Sequence, residues 1–185
     1  MYRRRDAPLL ASCQKNPRIF SPPWEDETTA GANLGGMLRF SGFEAFPFTR
    51  ALVAGKLSDA AFLAACVPDA VVRSASADAA EWQAKARLGF ATATLESQLA
   101  ITGRTPGESV TFTLANRTAG AGLGVMTKLS FDDAAGGTNV DWTAEITSRS
   151  GLLKLAPSSL LQSQVQSLLS DLWQSVRTKL QDAVP

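Results

Sequence analysis

Apolar and polar residues alternate along much of this chain, and one long helical stripe follows the last alternating run. The alternation is clearest from Trp82 to Phe90, where apolar residues take one phase and charged or amide residues take the other. A period of two is typical of a strand with one buried and one solvated face. Further strand-like runs cover 38–48, 71–76, 93–101, 110–114, 123–131 and 140–146. Because the connections are short, the pattern predicts a curled antiparallel meander of about seven strands. Gly120, Gly122 and Gly124 are candidates for a bend or bulge.

Helical patterns occur in two places, directly after the first strand and at the end of the chain. Two short helices are predicted first, the second over 60–66, where Ser58 or Asp59 can cap its start. The final helix begins near Pro157 and is long enough to cross a curved sheet. Its apolar residues recur at spacings of three and four. They are Leu161, Val165, Leu168, Leu169, Leu172, Trp173, Val176 and Leu180. This order of elements predicts an α+β fold in which the sheet wraps around the last helix and encloses an apolar pocket.

Residues 1–36 differ in character from the rest of the chain. They combine arginines, prolines and a glycine-rich end without a helical or strand period, so we predict a flexible extension followed by one folded domain over 37–185. Residues 10–13 resemble a lipoprotein cleavage box. However, the apolar stretch before Cys13 is about five residues long, whereas a signal peptide needs roughly 7–15. We therefore favour Met37 as the start of the folded unit.

Composition excludes several classes of function. The net charge is +1 and histidine is absent, so the chain lacks the field that attracts nucleic acid and the commonest general base. Cys13 and Cys66 lack a CxxC spacing, and the carboxylates Glu81, Asp141 and Glu145 fall on the solvated phase of their strands. We predict no catalytic residue, no metal site, no cofactor and no nucleic-acid partner. The expected location is the cytoplasm, with peripheral membrane contact left open.

Large apolar residues in the inward phases are the candidates for lining the pocket. They are Trp82, Phe90, Leu99, Phe112, Leu129, Trp142, Leu168 and Trp173. The alternative is that these residues only fill a close-packed core. Before the last helix, Leu152, Leu153 and Leu155 flank Lys154 and form a candidate tip for membrane or partner contact. The alternative is that these leucines lie under the sheet.

Three segments of the chain resemble motifs of a known family. They are Leu57-Ser58-Asp59 with Ala65-Cys66-Val67-Pro68-Asp69-Ala70, the glycine-rich 120–124, and Gly137-Thr138-Asn139-Val140-Asp141-Trp142. In this order and spacing they resemble the carbon monoxide dehydrogenase G-subunit family, within the START-like (SRPBCC) helix-grip superfamily. Three features depart from the family pattern: Asp69 stands where glycine is usual, Ala156-Pro157 replaces a glycine, and a phenylalanine pair near the end is missing.

The resemblance implies a non-catalytic, hydrophobic-ligand-binding or accessory role. It further implies assistance in the maturation or membrane recruitment of a molybdenum hydroxylase. The expected partners are an apolar small molecule or lipid, together with molybdenum hydroxylase subunits or the inner membrane surface. Two alternatives remain at this point. The first is a polyketide cyclase/aromatase-like or hydrolase enzyme in the same fold, and the second is a membrane or protein adaptor.

Overall fold

The computed structural model describes residues 38–88, 91–155 and 157–183. Within these ranges, the side chains of 86–88, 91–93, 158, 160, 161 and 164 are outside the description. The predicted extension over residues 1–36 and the pocket candidate Phe90 also lie outside the described residues.

In the described part of the chain, seven antiparallel strands form one sheet, in the order β1-β7-β6-β5-β4-β3-β2. They are β1 (Arg39–Phe46), β2 (Val71–Ala75), β3 (Ala79–Leu88), β4 (Ala91–Thr105), β5 (Ser109–Thr118), β6 (Ala121–Ala134) and β7 (Gly137–Gly151). Strands β2 to β7 make a continuous meander, and β1 pairs with β7 at the far edge. The predicted antiparallel sheet is therefore confirmed.

The described residues also form three α-helices, α1 (Arg50–Leu57), α2 (Ala60–Cys66) and α3 (Ser158–Asp182), with a 3-10 turn at Leu152–Lys154. Asp59 caps α2, because its carboxylate accepts a hydrogen bond from the Ala61 N–H at 2.9 Å. The predicted positions of the two short helices and of the long last helix are confirmed.

One predicted turn lies earlier in the chain than expected. Residues 78–80 separate two strand-like runs of the sequence and predict a turn there, but β3 already begins at Ala79. The side chain of Ser76 explains the shift, since its Oγ lies 3.1 Å from both the Ala79 N–H and the Ala79 carbonyl oxygen. A serine hydroxyl that bonds nearby backbone closes a tight turn before the strand starts.

A β-bulge in β7 changes which residues face α3. Val125 pairs with Ile146, but the preceding residue of β6, Gly124, pairs with Ser148, so Thr147 is the extra residue. Of the three glycines predicted to mark a bend or bulge, Gly124 flanks this register shift. Beyond the bulge, the alternation of β7 is shifted by one residue relative to β6.

The core lies between one face of the sheet, here called the inner face, and the three helices. Its buried residues include Val53 and Leu57 from α1, Leu63 from α2, and Val176 and Leu180 from α3. A second, smaller cluster contains Phe40, Ala144 and Ile146 from β1 and β7. The opposite, outer face of the sheet carries mainly exposed side chains, such as Phe43 and Met126.

Candidate functional site

The inner face has one half that is tightly packed, here called the packed half. There the carboxyl-terminal part of α3 buries Trp173, Val176 and Leu180, which are 8%, 1% and 0% exposed. These side chains pack with α1 and α2 against Phe46 and Val140. Close packing on every side makes this half the anchor of α3.

An aromatic cluster marks the inner end of the packed half. The Trp173 ring centroid lies 6.1 Å from that of Trp142 and 6.2 Å from that of Phe46. The indole N–H groups of Trp142 and Trp173 are buried, and neither has a hydrogen-bond partner among the described residues. An unsatisfied buried donor costs about 1–3 kcal/mol, so both groups would gain from an acceptor in the interior.

The other half of the inner face, here called the open half, is covered less completely. The amino-terminal part of α3 contributes Val165 and Leu169, which are half-buried against the Phe40 cluster together with Leu123 and Val125 of β6. Leu114 of β5 lies on the same face and is also half-buried. We call this apolar, half-open space between α3 and strands β4 to β7 the α3 groove.

A row of directly paired residues crosses the open half from β3 to β7. It consists of Trp82, Ser97, Asn116, Leu123 and Arg149, each paired with the next across neighbouring strands. Directly paired residues lie on the same face of a sheet, so all five belong to the inner face. The Ser97 hydroxyl is buried and donates to Asn116 Oδ1 at 2.8 Å. We call these five residues the polar row.

Two further depressions lie on the described part of the surface. One, with a volume of about 510 Å³, lies between Pro68 and the flank of α3 that carries Asp171, Thr178 and Lys179. The other, of about 400 Å³, lies near the start of β6, where Gly122 and Gly124 line it together with Asn116 and Leu123 of the polar row. Neither is lined by Val165 or Leu169, and the second adjoins the polar row.

A match to a known protein family covers most of the described domain. A model of the family of the carbon monoxide dehydrogenase G subunit (CoxG) matches residues 42–181. The chain belongs to the CoxG family. No curated protein matches its sequence.

Solved structures with the same fold are distant in sequence. A conserved protein from Geobacillus kaustophilus has a TM-score of 0.69 at 13% identity, with 79% of this chain and 97% of that chain covered. The Zhui aromatase/cyclase from Streptomyces sp. R1128 has a TM-score of 0.58 at 13% identity, with 81% and 97% covered. Ara h 8.0201 has a TM-score of 0.54 at 13% identity, with 80% and 99% covered. These similarities show the fold alone, and the CoxG chain has the predicted helix-grip fold. Family membership and fold together support, in general terms, an accessory role of the ligand-binding kind.

The residues predicted to line a pocket in this CoxG protein lie mostly in the packed core. Six of them come together in one cluster. The buried members are Trp82, Leu99, Leu129 and Trp173, and the half-buried members are Phe112 and Trp142. Leu168 does not join them, since 63% of its surface is exposed. A role in binding for any of these residues stays a prediction.

The residues that face the open half do not stand out in the sequence. Val165 and Leu169 were recognised only as part of the helical stripe, and Leu123 and Val125 only as part of a strand. Arg149 and Asn116 were not singled out, because their place on the inner face depends on strand pairing. One feature of the sequence could have pointed to Arg149. Between residues 146 and 170, Arg149 and Lys154 are the only charged residues.

The predicted tip of the CoxG chain lies at the end of β7, in and after the 3-10 turn. Leu152 and Leu155 are 69% and 82% exposed, whereas Leu153 is half-buried. Two of the three leucines thus project into solvent beside the exposed Lys154. Contact with a membrane or partner stays a prediction.

Chemical groups for catalysis or metal binding are sparse in the described part of the CoxG chain. Glu81 and Asp141 are exposed on the outer face, where Glu81 accepts a hydrogen bond from Gln98. Among the described residues, no three His, Cys, Asp or Glu side chains come together as a metal site. Burial raises the pKa of the Cys66 thiol from 9.0 to about 11, against a smaller opposing effect of the Lys179 charge. No helix in the described ranges is both long and apolar enough to span a bilayer.

Proposed function

We propose that this CoxG chain is a non-catalytic accessory protein that binds an apolar small molecule or lipid in the α3 groove. The observation that carries the proposal is the contrast in burial along α3. Its carboxyl-terminal residues Trp173, Val176 and Leu180 are buried, while Val165 and Leu169 are only half-buried although they point at the same sheet. Binding is favoured when a ligand removes partly covered apolar surface from water.

The packed half supports the same interpretation because it holds α3 in place without help from the open half. Arg177 of α3 donates to the Glu44 carboxylate and, at 3.0 Å, to the Ala45 carbonyl oxygen. Its guanidinium also lies 5.1 Å from the centroid of the Phe46 ring. With α3 fixed at its carboxyl-terminal end, its amino-terminal half can rest on a ligand instead of on the sheet.

The binding proposal is tested by filling the groove. Leu123→Trp places a large ring on the inner face of β6, whereas Met126→Trp places the same ring on the outer face of the same strand as a matched control. We expect the neutral probe N-phenyl-1-naphthylamine to gain fluorescence with the wild type and with Met126→Trp. Leu123→Trp should weaken this binding about tenfold or more, since the ring occupies apolar space that the probe needs. Equal binding by all three proteins would refute the groove as the site.

We further propose that the partners are molybdenum hydroxylase subunits and the inner membrane surface, with the leucine tip as the membrane contact. The exposed Leu152 and Leu155 beside Lys154 support this, since apolar side chains next to a cation suit an anionic bilayer surface. Co-sedimentation with anionic vesicles should fall for Leu155→Asp. It should not fall for Val71→Asp, which changes an exposed apolar residue on β2. Equal pelleting of wild type and Leu155→Asp would exclude the tip.

A further inference from the structure

Arg149 lies on the inner face and has no ionic partner among the described residues. It pairs with Leu123, which packs against the Phe40 cluster, and its side chain is half-buried. No carboxylate in the described ranges lies within ion-pair distance of its guanidinium. A partly buried arginine without a counter-charge is costly, and a bound anion would offset that cost.

The carboxylates that share the inner phase of the sheet are already paired elsewhere. Glu44 pairs with Arg177, and Asp133 pairs with Arg50 at 3.3 Å. Both lie at the packed half, next to Val140 and Thr138 in the strand register. Glu145 is close to Arg149 in the sequence, but it pairs with Met126 in the outer phase of the sheet. From Ile146 to Ser170 the chain contains no Asp or Glu, so the described inner face of the open half carries a positive charge without a carboxylate beside it.

Asn116 adds a neutral donor to the same row. Its Oδ1 accepts the hydrogen bond from the buried Ser97 hydroxyl, and its amide nitrogen carries two N–H donors. Asn116 and Arg149 flank Leu123 on either side. Neighbouring strands lie about 4.8 Å apart, so the two donors are separated by two strand spacings, a distance that the long arginine side chain can shorten.

The next row deeper into the groove is entirely apolar. It consists of Leu99, Leu114, Val125 and Ile146, paired in turn across β4 to β7. Along β6 the inner-phase residues after Leu123 are Val125, Thr127 and Leu129, and Leu129 already belongs to the packed core. The four residues of strand from Leu123 to Thr127 span roughly 13 Å. The inner face therefore presents a polar, cationic end and a mainly apolar surface behind it, which ends at the packed half.

We propose that the α3 groove takes a long-chain carboxylate. Its head group binds Arg149 and Asn116, and its chain lies on the apolar rows beneath α3. This inference rests on the proposed function and adds the chemical class of the ligand. The groove has a positive charge at one end and an apolar surface behind it. Together these features favour an anionic amphiphile over a neutral apolar molecule.

The test compares cis-parinaric acid with its methyl ester, two fluorescent probes with the same chain, one ending in a carboxylate and the other in a neutral methyl ester. The wild type should bind the acid about tenfold more tightly than the ester, because a charge-assisted contact to the carboxylate is lost in the ester. Arg149→Gln should remove this preference, and Arg149→Lys should keep most of it. Arg117→Gln is the matched control, since Arg117 is exposed at the same end of the sheet and pairs with Gly122, one residue out of phase with the inner face.

Three results would overturn the proposal, and they separate it from the binding function beneath it. Equal binding of acid and ester by the wild type, or an acid preference that persists in Arg149→Gln, would overturn the carboxylate assignment while leaving the groove as a binding site. Failure of the wild type to bind either probe would overturn the proposed function as well. Asn116→Asp provides a second variant: it should weaken the acid more than the ester, and an equal effect on both would count against the head-group position.

Discussion

Trp142 lies directly over Gly42, and this contact tests how tightly the sheet packs at the boundary between the two halves of the inner face. Gly42 of β1 pairs with Trp142 of β7. A Cβ added at Gly42 would lie 2.5 Å from Trp142 Cζ2, 2.7 Å from Cε2 and 2.9 Å from Nε1. Ordinary contacts begin at 3.4 Å, so Gly42→Ala forces the indole to withdraw by about 1 Å.

The indole has little room to withdraw. Its neighbour Trp173 lies at a centroid distance of 6.1 Å and in turn contacts Phe46. A displacement of Trp142 therefore passes into the packed half of the core. Overpacking of this kind typically costs about 1–3 kcal/mol, and we expect Gly42→Ala to lower the free energy of unfolding by that amount.

Urea denaturation followed by circular dichroism measures the change, and Gly55→Ala is the matched control. Gly55 lies in α1, and an added Cβ there meets nothing within 4 Å. Alanine is the better helix former, so this second substitution should raise the free energy of unfolding by about 0.5–1 kcal/mol. The same chemical change thus has opposite expected signs at the two positions.

The double variant Gly42→Ala/Trp142→Phe identifies the cause. Phenylalanine lacks the part of the indole that meets the new Cβ, so its combination with Gly42→Ala should be less destabilising than the sum of the two single changes. A Gly42→Ala protein as stable as the wild type would refute the reasoning. So would strict additivity of the two substitutions, because the loss would then arise away from the indole.

Three further predictions follow from single side chains. Arg177→Met should lower the free energy of unfolding by about 1–2 kcal/mol, because Glu44 loses its ion pair and the Phe46 ring loses the cation beside it. Urea titrations at low and high salt test this. The same salt dependence of stability in the variant and the wild type would contradict it. The raised pKa of Cys66 means that its stabilising effect is complete below pH about 9 and is lost as the pH rises towards about 11; thermal melts across this range should show a steeper decline for the wild type than for Cys66→Ala, and parallel curves would exclude the linkage. Asp69 has a φ of 55°, so Asp69→Gly should stabilise the protein by about 1 kcal/mol; an unchanged midpoint of thermal unfolding would show that the local strain is absent.

The order and type of the elements could be predicted from the sequence because each has a strong local period. The stripe on the last helix is an example: Trp173, Val176 and Leu180 were assigned to it, and all three are buried. Leu168 shows the limit of the same argument. It lies at the edge of the stripe, and the period alone does not say that this part of α3 stands over an incompletely covered surface, where a leucine at the edge stays 63% exposed.

The candidate site was harder to predict, because it depends on one bulge. The alternation before the bulge puts Asn139, Asp141, Thr143 and Glu145 in the outer phase, and extending it along β7 would put Arg149 there too. Thr147 is the extra residue that reverses the phase, so Arg149 lies opposite Leu123 on the inner face. Gly122 and Gly124 make this possible, since a Cβ at either would meet the side chain of Ser150 or Ser148. The glycines indicated a bulge, but only the pairing of β6 with β7 says which strand holds the extra residue. That choice turns a surface arginine into the single unpaired cation that the described strands present to the α3 groove.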